Sequence, residues 1–308
     1  MVNFNHIATE THSDSYLSLL VDFFKLHSEG EPVNVIYPFT NERLKAYEVF
    51  DYDKTLTTMT DHFFYAILSG STDITLYDLN GMALMWLKLK LAFIATCEFD
   101  EFQELMKCIV HKNTTCNSTC NNCEFYSQIC QRTLNYLKSH VTDDEYRIIC
   151  LLLNAIKDDD ERKRIFSSYT NIEESIFNDY ESYNKIKSRI TSNSDYINVS
   201  SIHCDIEDLP SYLEASELGK FTTILTSNIS DYKDDLSFFE CIMDLCEFLD
   251  DAGQIQVEYV FTPLHPAYFQ KYEMAANERG FELMDNGVHS NGVRQYILFL
   301  KKSPRTLK

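Results

Sequence analysis

Positive charge is scarce in this chain. Its 308 residues include 27 lysines and arginines against 47 aspartates and glutamates, which gives a formal net charge of −20. So acidic a surface repels nucleic-acid phosphates and anionic lipid headgroups. We therefore expect no nucleic-acid partner and no polybasic membrane anchor, and we interpret most of the charge as a solvated surface.

Long apolar runs are also missing. No stretch reaches the roughly 18 residues that a membrane-spanning helix needs. The N-terminal stretch MVNFNHIATETHSDS lacks the charged and apolar regions of a signal peptide. These absences predict a soluble cytoplasmic protein without a membrane span, whose ten cysteines are mostly reduced. Apolar residues still make up 44% of the chain, which is enough for a substantial core.

Acidic residues follow several short apolar runs. Residues 74–77 form a strand-like run that ends on Asp78, and Asn80-Gly81 then turns the chain into a long apolar helix. The run at 196–203 is followed by Asp205. An acid at the carboxyl end of a buried strand, before a turn and a helix, lies where α/β sheets bind nucleotide-like ligands. We therefore predict a ligand site at the carboxyl ends of these strands.

The order of the predicted elements indicates a nucleotide-binding α/β fold. Strand, turn, helix and strand precede residue 82, and strands alternate with helices again from residue 191. Residues 82–190 carry almost no strand pattern. We predict two halves of a Rossmann-like domain, at 1–81 and 191–308, with a helical insertion or lid at 82–190 that contains a Cys-rich loop. The last two strands are expected to form an antiparallel sheet edge.

Several short motifs resemble one family in their order and spacing. They are YPFT at 37–40, YDLN at 77–80, LKLAFI and FDEF within 89–102, CDIEDL at 204–209 and ILTSNISDY at 224–232. Together they resemble S-adenosylmethionine-dependent transferases of the methyltransferase fold, and more narrowly the DUF3419 family, which includes the betaine-lipid synthases. The resemblance covers most of residues 33–106 and 196–301.

This resemblance implies a fold and an activity. The fold is α/β and Rossmann-like, with a mostly parallel twisted sheet, an antiparallel C-terminal edge and a large helical insertion. The activity is transfer of a 3-amino-3-carboxypropyl or methyl group from S-adenosylmethionine to an acceptor. We expect a small-molecule acceptor, because the acidic surface fits poorly with the lipid acceptors of the betaine-lipid synthases.

The resemblance also implies roles for particular residues. Asp78 would accept hydrogen bonds from the ribose hydroxyls, while Asn80 would be a second ribose contact or only a turn residue. Asp205 and Ile206 would flank the adenine, unless Asp205 only caps the following helix. The other implied cofactor contacts are Tyr37, Phe39, Thr58, Asp61 and Ser227, and the implied catalytic residues are Asn228, Asp231 and Tyr232.

Charge complementarity suggests how some of these residues would act. The aromatic rings of Tyr37 and Phe39 would lie over the sulfonium, because an aromatic face attracts a cation. Core packing is the alternative for both rings. Asp61 or Asp231 would hold the ammonium of the cofactor.

One turn departs from the family pattern. In the family, the turn after the first core strand is rich in glycine and serine, so backbone amides approach the ligand closely. Here residues 57–61 read TTMTD, without glycine, and only the acid remains, at Asp61. This departure supports an alternative function, a non-catalytic Rossmann-like protein that binds a ligand or partner through a degenerate cofactor loop.

A second alternative comes from residues 51–55. Asp51-Tyr52-Asp53-Lys54-Thr55 fits DxDxT, the motif of haloacid-dehalogenase-like phosphatases, in which the first aspartate attacks phosphorus and the second is the acid/base. Glu48 interrupts the preceding run, which makes that run a poor buried strand. The motif also leaves Asp78 and Asp205 without a role. We prefer to interpret Asp51 and Asp53 as a polar turn.

Four clustered cysteines could bind a metal. Cys116, Cys120, Cys123 and Cys130 include one CxxC pair, and four thiolates suit a closed tetrahedral zinc site. The outer spacings are irregular, so free thiols are the alternative. Such a structural zinc ion would stabilise the helical insertion and would take no part in catalysis.

Overall fold

The structure is a computed structural model, and it describes residues 2–6, 36, 39, 52–110, 121–158, 162, 165–166, 175–192, 195–227, 235–259, 266–285, 288–290 and 293–302. The chain divides into two compact units. The helical unit holds Asp78–Asp195 together with Ile36 and Phe39. The sheet unit holds residues 2–6 and 52–77 and those from Tyr196 onward.

The strands pair into one sheet. In the order β1-β4-β3-β2-β5-β6-β9-β7 each strand bonds to the next, and β8 adds to β9. Within the described residues the strands are β1 Val2–His6, β2 Lys54–Thr58, β3 Asp73–Asp78, β4 Ile197–His203, β5 Phe221–Leu225, β6 Leu249–Tyr259, β7 Phe281–Asp285, β8 Val288–Ser290 and β9 Val293–Lys302.

Helices connect these strands. Between β3 and β4 the chain forms a run of helices with no intervening strand in its described part. No helix in the described ranges has both the length and the apolarity needed to cross a membrane. The helices are α1 Asp61–Ser69, α2 Gly81–Thr96, α3 Phe99–Val110, α4 Asn121–Leu137, α5 Asp143–Lys157, α6 Tyr180–Thr191, α7 Leu209–Ala215, α8 Asp235–Leu245 and α9 Pro266–Glu278.

The strand order confirms the predicted fold class. β2 lies between β3 and β5 and pairs in parallel with both, and β5 pairs in parallel with β6. β9 runs antiparallel between β6 and β7, which makes the antiparallel C-terminal edge. With α2 to α6 inserted after β3, this is a Rossmann-like methyltransferase fold with a large helical insertion. β1, which pairs in parallel with β4, is an additional strand that was not predicted from the sequence.

The sheet unit has an apolar core on one face of its sheet. Alternate residues of neighbouring strands point to the same face. Leu56, Tyr77, Ile224 and Ile255 do so in β2, β3, β5 and β6, and their side chains are buried. They share this core with buried side chains from α7, α8 and α9, among them Leu213, Phe238, Phe239, Ile242, Tyr272 and Ala276.

Helix α2 is apolar on all sides, and 12 of its 16 residues are buried. Two of the buried residues are lysines. Lys88 Nζ lies 2.6 Å from Glu145 Oε1 on α5, and Lys90 Nζ lies 4.3 Å from the ring centre of Phe39 and 4.4 Å from that of Phe177. The long stems of the lysines fill apolar space while an anion or an aromatic face receives each ammonium.

Cys97, which ends α2, gives a prediction about alkaline stability. Burial, with a smaller effect of the Glu101 carboxylate, raises the pKa of its thiol from 9.0 to about 11. Between these values the unfolded chain loses the thiol proton and the folded chain keeps it. The contribution of Cys97 to the free energy of unfolding is therefore complete below pH 9 and falls by about 2 kcal/mol as the pH rises to 11.

Chemical denaturation of the wild type and of Cys97→Ala at several pH values measures this contribution. We expect the wild-type free energy of unfolding to fall more steeply above pH 9 than that of the variant. Parallel curves would show that the thiol ionises equally in both states.

The prediction that the clustered cysteines lie in a loop was wrong in part. Helix α4 begins at Asn121 and so includes Cys123 and Cys130. Ile129, Cys130, Thr133 and Leu137 are buried at the three- and four-residue spacing of a helix face. Packing of this face overrides the polar, Asn-rich composition that suggested a loop.

Strand β6 is long, and it begins at Leu249. The register between β5 and β6 shifts between Phe221 and Thr223. A side chain at Gly253 would bring a Cβ within 2.8 Å of the Phe221 carbonyl oxygen, so a glycine permits this close approach.

Candidate functional site

The winding of the sheet reverses at β2. The chain passes from β2 to β3 on one side and later returns to place β5 on the other side of β2. By the register of these parallel strands, Thr58 lies opposite Tyr77, and Thr57 lies opposite Leu225. Asp78 and Thr226, the next residues of their strands, therefore belong to the same edge as Thr58. Open α/β sheets bind ligands outside the carboxyl ends of strands at such a reversal.

The carboxylate of Asp78 is oriented by the turn that follows β3. Asp78 is half-buried, and its Oδ1 accepts a hydrogen bond of 2.8 Å from the backbone N–H of Asn80. Asn80 Oδ1 in turn accepts from the N–H of Met82 at 3.0 Å and caps α2. Asn80 is thus a turn residue, one of the two roles expected of it from the sequence, and its ribose contact stays a prediction.

Leu79, between these two residues, is a candidate that sequence reasoning missed. Its side chain is 48% exposed, beside the half-buried Asp78. An apolar side chain beside a carboxylate can cover the flat face of a base while the carboxylate binds hydroxyls. The available signal was the position of Leu79 between the predicted ribose acid and the helix cap.

The turn after β2 is short and closed by side chains. Only Met59 and Thr60 separate β2 from α1. Thr60 Oγ1 lies 2.9 Å from Thr58 Oγ1 and 2.7 Å from His62 Nδ1. It also accepts from the backbone N–H of His62 at 3.5 Å, as the N-cap of α1. We name Thr58, Thr60 and His62 the threonine–histidine chain.

Asp61 lies at the first position of α1, and its side chain is 5% exposed. A carboxylate is stabilised there by the partial positive charge of a helix N-terminus. The predicted acid is a buried carboxyl group between Thr60 and His62 in the sequence. Its contact with the cofactor ammonium stays a prediction.

At the end of β4, Asp205 also forms a turn. Its Oδ1 accepts from the N–H of Glu207 at 3.1 Å, and its carbonyl accepts from the N–H of Asp208 at 3.1 Å. Ile206 is buried in the core of the sheet unit, and its carbonyl accepts from the thiol of Cys241 at 3.0 Å. The adenine contacts assigned to Asp205 and Ile206 stay predictions.

Ser227 follows β5 with an uncommon backbone conformation. Its φ is +56° and its side chain is 6% exposed. The preceding residue is held to β6, because Thr226 donates its N–H to the Gln256 carbonyl at 3.1 Å. Left-handed conformations of non-glycine residues cluster where the surrounding structure imposes them, often at functional sites. The predicted catalytic residues Asn228, Asp231 and Tyr232 come next in the chain and lie outside the described residues.

This conformation gives a prediction for two substitutions. Ser227→Gly should leave the free energy of unfolding within about 1 kcal/mol of the wild type, because relief of strain offsets the entropy of glycine. Ser227→Val should lower it by roughly 1–3 kcal/mol, because a β-branched residue is poorly tolerated at positive φ. Denaturant titration of both variants measures the difference. Equal stabilities would mean that the left-handed backbone is not retained in solution.

The two predicted aromatic contacts have different outcomes. Tyr37 lies outside the described residues. Phe39 is buried in the helical unit, where the Lys90 ammonium lies 4.3 Å from its ring centre. This is the core packing that was the alternative expectation, with a lysine as the cation. The role of Phe39 over a sulfonium stays a prediction.

The two competing motifs gain no support. Asp51 lies outside the described residues, and Asp53 is an exposed bend residue before β2, which fits a polar turn. Cys116, Cys120 and the side chain of Cys123 also lie outside the described part. Cys130 is buried, and burial raises the pKa of its thiol. Among the side chains described, no three His, Cys, Asp or Glu residues are grouped to hold a metal, so the zinc site has no support.

No family model and no curated protein matches the chain. Solved structures do match, and one of them is an rRNA methyltransferase from Streptomyces viridochromogenes. Its sequence is 9% identical, the match covers 96% of this chain and 88% of that chain, and the TM-score is 0.39. A TehB-like SAM-dependent methyltransferase from Corynebacterium glutamicum has 9% identity, coverages of 94% and 100%, and a TM-score of 0.38.

A third similar structure is a magnesium protoporphyrin IX methyltransferase from Synechocystis with bound SAM. It has 12% identity and a TM-score of 0.28, and the match covers 40% of this chain. The match covers 54% of that protein, so this chain spans about half of its length. The assignment of the fold is independent of these likenesses, because it rests on the order and pairing of the strands.

Proposed function

We propose that the protein is a transferase that uses S-adenosylmethionine, bound along the carboxyl ends of β2 to β5. One observation carries the proposal. Strand β3 of this methyltransferase-type sheet ends in the carboxylate of Asp78, which the backbone N–H of Asn80 orients. A carboxylate at this position suits the vicinal hydroxyls of a ribose, because it can accept both hydrogen bonds.

The residues at the strand ends fit the chemistry of this cofactor. Asp78 offers acceptors for the ribose, and the exposed side chain of Leu79 offers an apolar surface for the adenine. Asp61 offers a buried carboxyl group for the ammonium. When bound, S-adenosylmethionine supplies an activated carbon on a sulfonium. The chain itself then has to hold the cofactor, align the acceptor and exclude water, and the most favourable position for these tasks follows β5, at Ser227 to Tyr232.

The transferred group and the acceptor are narrower proposals. The resemblance to the DUF3419 family supports a 3-amino-3-carboxypropyl group, and the net charge of −20 supports a small-molecule acceptor in the cytoplasm over a nucleic acid or a lipid. The rRNA substrates named for some similar structures are those of the other proteins.

The by-product identifies the reaction. Methyl transfer leaves S-adenosylhomocysteine, whereas aminocarboxypropyl transfer leaves 5′-methylthioadenosine. We expect 5′-methylthioadenosine when the protein is incubated with S-adenosylmethionine and a small-molecule extract, and not with purified RNA or lipid. If S-adenosylhomocysteine is the by-product, the transferred group is not the 3-amino-3-carboxypropyl group. If turnover occurs with RNA, the acceptor is not limited to small molecules.

A second candidate function has its own observation. The turn after β2 has no glycine and is closed by the threonine–histidine chain, so it resembles a degenerate cofactor loop. On this view the protein binds a nucleotide-like ligand or a partner without catalysis. Binding of S-adenosylmethionine with no turnover in the presence of the small-molecule extract, RNA or lipid would favour this function, and turnover with any of the three would exclude it.

A further inference from the structure

The direction of hydrogen bonding in the threonine–histidine chain is set by the tautomer of His62. The Thr60 hydroxyl has one proton and three neighbours, namely Thr58 Oγ1, His62 Nδ1 and the backbone N–H of His62. The N–H can only donate, so the proton of Thr60 goes to Thr58 or to His62. An imidazole nitrogen is the stronger acceptor, and its contact is the shorter one, 2.7 Å against 2.9 Å.

His62 is buried in the first turn of α1. A neutral imidazole keeps one nitrogen without a proton. If that nitrogen is Nδ1, Thr60 donates to His62 and Thr58 donates to Thr60. The Thr58 oxygen then has lone pairs but no proton for any further partner.

We infer that His62 is a positioning residue of the proposed cofactor site, which acts through Thr60 to make the Thr58 hydroxyl a hydrogen-bond acceptor. The inference rests on the proposed function. Thr58 then presents an acceptor at the end of β2. This arrangement selects a ligand group that donates hydrogen bonds, and in the cofactor that group is the ammonium of the methionyl chain.

This arrangement differs in kind from a glycine-rich turn. Glycines let backbone N–H groups, which are donors, approach a ligand. In this turn the N–H of His62 is directed to Thr60 Oγ1, and the N–H of Phe63 donates to the Thr60 carbonyl at 3.1 Å. Thr58 is buried, so a hydrogen bond to its oxygen is formed away from water, where it is stronger.

Two ligands and two substitutions test the inference. S-adenosylhomocysteine carries the ammonium, whereas 5′-methylthioadenosine shares the nucleoside and lacks the amino-acid chain. Thr60→Val removes the hydroxyl at nearly constant shape, and Thr60→Ser keeps it. We expect Thr60→Val to lower the affinity for S-adenosylhomocysteine about tenfold, since one hydrogen bond to a charged group is lost. The affinity for 5′-methylthioadenosine should fall by less than about threefold. Thr60→Ser should bind both ligands within about threefold of the wild type.

His62 has a matched pair of variants as well. The side-chain amide of Asn reaches the position of Nδ1, and that of Gln reaches the position of Nε2. His62→Asn should therefore retain the affinity for S-adenosylhomocysteine better than His62→Gln. Nitrogen NMR of the ligand-free protein measures which ring nitrogen of His62 carries a proton. We expect Nδ1 to carry none.

Each result decides the inference. If Thr60→Val loses the same affinity for both ligands, or if Nδ1 of His62 carries a proton, the threonine–histidine chain has only a structural role. Either result would overturn the inference. A wild type that binds neither ligand would refute the proposed function and the site role with it. The NMR result does not depend on ligand, so it shows separately whether the hydrogen bonds run from Thr58 through Thr60 to His62.

Discussion

Asp78→Asn is expected to weaken the binding of S-adenosylmethionine by roughly 10- to 100-fold, because hydrogen bonds to an ionised group are worth about 1.5–3 kcal/mol each. Asparagine keeps Oδ1, which accepts from the N–H of Asn80 at 2.8 Å, so the turn before α2 is retained. The substitution removes the charge and the second acceptor oxygen. Isothermal titration calorimetry measures the change in Kd.

Asp73→Asn is the matched control for this prediction. Asp73 begins the same strand, at the end away from the proposed site, where it lies 3.5 Å from Lys54 Nζ. We expect its affinity for S-adenosylmethionine to stay within about threefold of the wild type, because surface ion pairs contribute little and this one does not contact the ligand. If both variants bind equally well, Asp78 does not hold the ribose.

Glu145→Gln is expected to destabilise the protein by about 3 kcal/mol. It leaves the Lys88 ammonium in an apolar helix without its counter-ion, and loss of one partner of a buried pair costs about 3–5 kcal/mol. Glu145 also accepts the backbone N–H of Thr142 at 3.0 Å in a capping box, which glutamine can preserve. Chemical denaturation measures the loss.

The pair offers two internal checks. Lys88→Met combined with Glu145→Leu should recover most of the stability, because an apolar pair of similar volume needs no counter-ion. Glu104→Gln, at an exposed pair with Lys107, should change the free energy of unfolding by less than about 0.5 kcal/mol. A loss at Glu145 no larger than at Glu104 would show that the Lys88–Glu145 pair is hydrated in solution.

The pH dependence of Glu145→Gln follows from Lys88. Burial lowers the pKa of its ammonium, while Glu145 opposes this effect in the wild type. Without Glu145, the folded chain releases the proton at a lower pH than the unfolded chain does. The stability of Glu145→Gln relative to the wild type should therefore recover as the pH rises from neutral toward 10.5, where unfolded lysine titrates.

Local chemistry explains why part of the site could be predicted from the sequence. Asp78 was predicted because an apolar run, an acid and an Asn-Gly turn follow one another within a few residues. The structure places these residues at the end of β3 and at the cap of α2. The carboxyl end of β4, which precedes Asp205, was predicted from a similar apolar run followed by an acid.

Tertiary contacts explain what the sequence could not show. The exposure of Leu79 and the hydrogen bonds of His62 depend on neighbours brought together by folding, and the positive φ of Ser227 has no sequence signature without glycine. The contact between the Lys90 ammonium and the Phe39 ring also depends on folding, because the two residues are far apart in the sequence. β1 was missed because its short run shows its pairing only next to β4.

Calorimetric titration of the wild-type protein with S-adenosylmethionine tests the central claim most directly. The proposed function predicts saturable binding with one ligand per chain, and competition by S-adenosylhomocysteine. No binding by folded protein at ligand concentrations of about 1 mM would contradict it, because the expected contacts are worth more than the roughly 4 kcal/mol that corresponds to a millimolar Kd.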